Sequence, residues 1–299
     1  MSLSIVQPAV DTADVSMPSP WRDIAVALTE TSGDAVALEL AGSLAHQYGA
    51  QLNVLQLVVM PTPLIDAWAL IPDPGFAQVY TDLRQAARVR AEQLRHQLLT
   101  MQVAGEVRTL EALFVDPSQL AAEAARCTDL IVLARPCDST VDIAMVHSYF
   151  AALLQASGRP VLVVPSFERP LFPARHAMVA WADTPESTRA LHDALPLLEQ
   201  CESVDVVLVD PIASVLEAVH ERGESVAHHL REHGVRAQVV TVKSRGMSVG
   251  NTLLEHARQS NAQLIVSGGY GHSKVREWVI GGTTRDLFQG AQVPVLFSH

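Results

Sequence analysis

Cysteine is scarce in this chain: 299 residues hold only Cys127, Cys137 and Cys201, with no Cys-x-x-Cys pair. That argues against a disulfide framework and fits a reducing cytoplasm. Positive charge is short as well, with 21 Lys and Arg against 32 Asp and Glu and a net charge of -11. Such a balance argues against a nucleic-acid partner, which calls for a basic patch. No apolar run approaches the roughly 18 residues of a membrane span, so no membrane partner is expected. Residues 1–20 lack a basic region followed by an apolar one. With Pro8, Pro18 and Pro20 they read as a loose polar leader rather than a secretory signal.

Several motifs are missing too. No Gly-Lys-Ser/Thr of a mononucleotide P-loop occurs, and no close-set glycine triplet of the dinucleotide fingerprint. There is no Gly-x-Ser-x-Gly elbow, and no base stands beside a cysteine. Glu202 next to Cys201 is expected to raise the thiol pKa. No catalytic residue is therefore assigned, and at most slow hydrolysis is expected.

What is present is a repeat. Ile24 to Leu28 and Ala177 to Trp181 each open a half as a short apolar run. Each is followed by turn residues and an Ala/Leu-rich helical stretch, Asp34 to Tyr48 and Pro185 to Gln200. Second strands are expected over Leu52 to Val59 and Val204 to Val209, and third strands over Val107 to Phe114 and Ala237 to Val242. Asp129 to Leu133 then parallels Gln263 to Ser267, and Arg159 to Val164 parallels Val293 to Phe297. The expected organisation is a leader (1–20), a first domain (21–166), a linker (167–176) and a second domain (177–299). Strands alternating with helices predict βαβ units and a parallel sheet covered on both faces. Ligands of such sheets bind at the strand-end edge where the strand order reverses. In each half that point should lie between the first and fourth strands.

The last fourth strand, ending in Ser267, runs into Gly268-Gly269-Tyr270-Gly271-His272-Ser273 and reaches Gly281-Gly282-Thr283-Thr284 after a helix-like segment, Lys274 to Ile280. Glycines let backbone N–H groups approach a phosphate closely, and the threonines can open a helix whose N-terminus favours an anion. The alternative is that the glycines serve turns alone. The first half has nothing comparable: no glycine stands between Gly105 and Gly158. It carries instead an insertion, Pro61 to Tyr80, suited to cover its own pocket, to form an interface or to be an ordinary loop.

Gly268, two residues, Gly271, nine residues and Gly281, before a Val-Pro-Val-Leu strand, resembles the universal stress protein family in its tandem form. The resemblance covers residue 21 to the C-terminus and implies two Rossmann-like domains, each a five-stranded parallel sheet flanked by helices. It implies ATP or another adenine nucleotide, with or without Mg2+, in the second half and none in the first. On this likeness Gly268 and Gly271 would approach ribose and phosphate, with Ser267, His272 and Ser273 beside them. Gly281, Gly282, Thr283 and Thr284 would wrap the phosphates, and Ala180, Trp181, Ala182 and Leu208 would surround the adenine.

Two positions depart from the family pattern. Gly282 stands where a hydroxyl residue is usual, and Ala182 stands where an acidic residue follows the first strand. Asp183, one step on, is a candidate substitute; the first-half counterpart is Thr29. Lys274 and Arg285 are candidates to offset phosphate charge. His229 and His233, four apart on an expected helix, have the spacing of paired metal ligands but are read as a solvated helix face, and no metal ligand is assigned. The family's function implies a cytoplasmic stress sensor or regulator with an unidentified protein partner. A nucleotide-free dimerisation module and a weak ATPase are the alternatives. Homodimers are also implied, and the edges ending in Val164 and Phe297 are the expected pairing surfaces.

Overall fold

A computed structural model of the chain describes residues 20–62, 74–135, 140–166, 170, 172–210, 216–269 and 282–299. The first half runs β1 (Asp23–Leu28), α1 (Asp34–Tyr48), β2 (Gln51–Val59), α2 (Pro74–Thr100), β3 (Gly105–Ala112), α3 (Pro117–Ala124), β4 (Leu130–Ala134), α4 (Thr140–Ala156) and β5 (Val161–Val164). The second repeats it with β6 (His176–Ala180), α5 (Pro185–Leu198), β7 (Ser203–Val209), α6 (Leu216–Glu232), β8 (Ala237–Val242), α7 (Val249–Gln259), β9 (Leu264–Gly268), α8 (Gly282–Gly290) and β10 (Val295–Ser298).

Continuous apolar runs such as Leu130 to Ala134 form strands because both faces are covered, and every residue of β4 is buried. The third strand of the first half ends earlier than its sequence suggests. Phe114 takes a left-handed backbone, φ 59°, and the chain leaves the sheet at Ala112. β6 starts at His176, inside the stretch expected to be linker. Of the expected insertion, residues 74–80 open the 27-residue helix α2, and residues 63–73 lie outside the described residues.

Within each half the strands are parallel, and the two halves share one ten-stranded sheet in the order β3-β2-β1-β4-β5-β10-β9-β6-β7-β8. β1 lies between β2 and β4, and β6 between β7 and β9. The order therefore reverses beside the first strand of each half, as the repeat predicts.

The edges expected to recruit a second chain are already used within this one. β5 and β10 pair antiparallel, with Val163 opposite Val295 and Val161 opposite Phe297. This corrects the expectation that strands ending in Val164 and Phe297 stay open for dimerisation. An unpaired edge is an adhesive surface, and here the other half covers it. Antiparallel joining also turns the strand-end edges of the two halves in opposite directions.

Two apolar layers sandwich the sheet and run through both halves. One gathers α1 and α5 against Ile24, Val26, Val179 and Leu264. The other holds Phe150 of α4 against Phe288 of α8, stacked with centroids 4.4 Å apart, and edge-on to Phe297 at 5.0 Å. These rings come from different halves, so the seam is a core and not a contact of two surfaces.

Candidate functional site

At the second reversal point, above the ends of β6 and β9, lies a cleft of about 390 Å³. That is within the roughly 300–1,000 Å³ of small-ligand sites. Its apolar wall comes from Ala180, Val207, Val209, Val249 and Leu253, with Trp181 at the end of β6. Opposite stand Ser267 and Gly268 of β9, and Gly282, Thr283 and Thr284 at the start of α8. The start of α5 supplies Thr184, Glu186 and Ser187.

Local chemistry explains this placement. Thr184 caps α5, its Oγ1 accepting from the Ser187 amide at 3.3 Å, and Pro185 follows in the first turn. Ser187 Oγ accepts from the Ala182 amide at 3.4 Å and ties the β6 loop to the helix. Gly268 is required by the same contact. A Cβ there would stand 2.7 Å from the Ser187 nitrogen and 2.8 Å from the Glu186 carbonyl carbon. Its absent side chain thus makes room for α5, a packing reason beside the phosphate reason inferred from sequence. Gly282 differs: among the described atoms nothing lies within 4 Å of where its Cβ would be.

Of the residues singled out from sequence, Ala180, Trp181, Ala182, Ser267, Gly268, Gly282, Thr283 and Thr284 line this one cleft. Leu208 does not. Strand side chains alternate, so its neighbours Val207 and Val209 face the cleft while Leu208 turns toward α6 and abuts Gly223. Gly271, His272, Ser273 and Gly281 lie outside the described residues, as does Lys274. Arg285 is exposed beside Asp286 at 3.8 Å and is not a lining residue. Asp183 does not take the acidic role either; it forms an exposed ion pair with Arg222.

Glu186 is the acidic lining residue that sequence reasoning missed. Its Oε2 is buried and accepts no hydrogen bond among the described residues. The available signal was its place in the first turn after a Thr-Pro cap, but nothing in that pattern tells a surface carboxylate from one held in a cleft.

The first half shows what the same position looks like when closed. The strand registers Ile24 with Leu130 and Ala177 with Leu264 align Gly33 with Glu186, Asp34 with Ser187 and Ala134 with Gly268. Asp34 turns inward and accepts from the Thr29 amide and hydroxyl, both at 3.1 Å, and from the Glu30 amide at 2.8 Å. Burial pushes its pKa up, and those hydrogen bonds only partly offset the shift. Arg135, in the place of Gly269, is buried and donates to the Ala291 carbonyl of the other half. The Asp34 carboxylate is thus satisfied within its own turn.

The two histidines with metal-pair spacing pack on one another and on a third. His192 of α5 stacks on His229 at 5.1 Å, and His233 meets His229 edge-on at 4.8 Å. Burial and the neighbouring imidazoles push the His229 pKa down. Among the described residues no group of three or more His, Cys, Asp or Glu is placed to hold a metal. Cys201 is raised as expected, to about 11, but by burial rather than by Glu202.

The family profile described as the universal stress protein family matches residues 20–165 and 173–299. The chain belongs to that family. Two matches in one chain make it a tandem universal stress protein. Its fold is similar to that of a universal stress protein from Archaeoglobus fulgidus DSM 4304, at 14% identity and a TM-score of 0.69, covering 92% of this chain and 95% of the other. It is also similar to a putative universal stress protein from Pseudomonas aeruginosa UCBPP-PA14, at 17% identity and a TM-score of 0.57, covering 94% of each chain. A functionally unknown protein from Pseudomonas aeruginosa PAO1 aligns at 17% identity and a TM-score of 0.55, over 94% of this chain and 93% of its own. At these identities the likeness is one of fold. No curated protein matches the sequence.

Proposed function

We propose that this tandem universal stress protein binds an adenine nucleotide, ATP or a relative, in the cleft of its second half. The protein then acts as a cytoplasmic stress sensor or regulator and not as a fast enzyme. The observation that carries the reading is the open space at Gly282. There the first turn of α8 offers backbone N–H groups to an anion, and among the described residues no packing accounts for the missing side chain. The apolar wall of Val207, Val209 and Leu253 suits a base. Thr283 adds a hydroxyl beside the helix start, which offsets part of what Gly282 gives up. Mg2+, if it accompanies the nucleotide, would draw on phosphate oxygens and water, since Glu186 is the one carboxylate among the described lining residues.

The first half is read as a silent partner because the carboxylate at its equivalent turn, Asp34, is already taken up by Thr29 and Glu30. Among the described residues no helix is long and apolar enough to cross a membrane. The test is to denature the purified protein, identify any released nucleotide by mass spectrometry, and titrate the stripped protein with ATP. One adenine nucleotide per chain, with binding lost in Gly282→Val, is the expected result. No released nucleotide and no binding at millimolar ATP would overturn it.

A further inference from the structure

One atom of the cleft lacks a donor. Glu186 is a lining residue, its Oε2 is buried, and no described residue donates to it. The side chain stands there because the two halves exchange a glycine across the same contact. In the first half the helix residue is Gly33, whose Cβ would come within 2.8 Å of the Ala134 Cβ. In the second half the glycine sits on the strand, at Gly268, and the helix position carries Glu186. At this helix position the second half therefore has room for a carboxylate and the first does not. No described residue uses its buried oxygen, whereas Asp34, at the next helix position of the first half, is engaged with Thr29 and Glu30.

The start of α5 favours a negative charge, and an ionised carboxylate only accepts hydrogen bonds. Glu186 therefore repels phosphate and selects a group that donates, a hydroxyl or an amino group. Its position chooses between these. β7 lies on one side of β6 and β9 on the other. Val207 and Val209 form the wall on the β7 side, while Glu186 sits over Gly268 at the end of β9, toward the start of α8. Across the cleft the order is apolar wall, carboxylate, helix N-terminus. A nucleotide presents base, sugar and phosphate in the same order. Resting on the nucleotide reading above, we infer that Glu186 is a specificity-determining residue. It accepts from the ribose hydroxyls and thereby separates ribonucleotides from 2′-deoxyribonucleotides.

The experiment is a set of titrations of the full chain and of Glu186→Ala and Glu186→Gln with ATP, 2′-deoxy-ATP and ITP. A hydrogen bond to a charged acceptor predicts that the unaltered protein prefers ATP over 2′-deoxy-ATP by about tenfold to a hundredfold. In Glu186→Ala the ratio should fall close to one, and Glu186→Gln should be intermediate. Thermal unfolding of both variants should stay close to the parent, since only the favourable charge at the start of α5 is lost and no described partner is. Equal affinity of the unaltered protein for ATP and 2′-deoxy-ATP would overturn the inference and leave nucleotide binding standing. So would a ratio kept in Glu186→Ala. A variant that changes the ATP-to-ITP ratio instead would show that the carboxylate reads the base, and the ribose assignment would fall. Binding of none of the three by the unaltered protein would sink the nucleotide reading and this inference with it.

Discussion

Gly268 and Gly282 belong to one sequence pattern, yet different forces require them. A methyl group on Gly268 would meet backbone atoms of α5 at 2.7 and 2.8 Å, so helix and strand would have to part. Overpacking of this kind costs about 1–3 kcal/mol. A methyl group on Gly282 meets nothing within 4 Å among the described atoms, and alanine is the better helix former by up to about 1 kcal/mol. Gly268→Ala should therefore lower the thermal midpoint. Gly282→Ala should hold or raise it while weakening ATP binding, because on the proposed function its methyl group would stand in the phosphate approach. Calorimetry of both variants alongside ATP titration checks this. A Gly282→Ala protein that binds ATP as tightly as the parent would detach that glycine from the site.

At the scale of elements, the second half is stapled at the opposite edge of its sheet by a buried carboxylate. Asp205 of β7 accepts from Gln238 of β8 at 2.8 Å, and its other oxygen lies 3.3 Å from both His176 of β6 and His256 of α7. Burial alone would raise the Asp205 pKa. The hydrogen bonds from His256 and Gln238 and the charges of both histidines outweigh it, and the net shift is downward. A lowered carboxylate adds stability that is present above its unfolded value, near pH 4, and lost as pH falls through the folded value. Asp205→Asn should cost roughly 1–3 kcal/mol at pH 7, and its loss of stability on acidification should be shallower than the parent's. Urea unfolding between pH 3 and 7 measures both. Identical slopes would remove Asp205 from the acid response.

None of that staple was legible in the sequence, because its members are far apart in the chain and meet only through strand register. The strands themselves were legible. Runs buried on both faces, such as Ile131 to Leu133 and Leu264 to Val266, announce themselves by continuous apolarity. Half-buried β3 did not give its end, since Leu113 and Phe114 are apolar yet exposed and the backbone turns at Phe114. The same limit applies at the cleft. The glycines and threonines were found by spacing, but Leu208 was placed on the wrong side of its strand, and Glu186 acquires meaning only from Gly268 beneath it.

For the whole molecule, the decisive feature is that two repeats share one sheet. The seam combines the antiparallel pairing of β5 with β10, the stacked Phe150 and Phe288, and the contact of Gly269 with Leu154. The outer edge at β3 is blunted differently, by Glu106, Arg108 and Glu111, with Arg84 of α2 reaching Glu111 at 2.8 Å. The full chain thus presents a charged strand at that end and keeps β5 and β10 inside. Residues 173–299 expressed alone would lose this protection. β10 would become an open edge, and Phe288 and Phe297 would lose Phe150. That fragment should associate into dimers or larger species through β10, and Phe297→Glu in the fragment should shift it toward monomer. Light scattering of the fragment, the variant and the full chain separates the cases. A fragment that is folded and monomeric without substitution would mean that the second half is complete by itself, and that the seam joins the repeats without being needed to cover them.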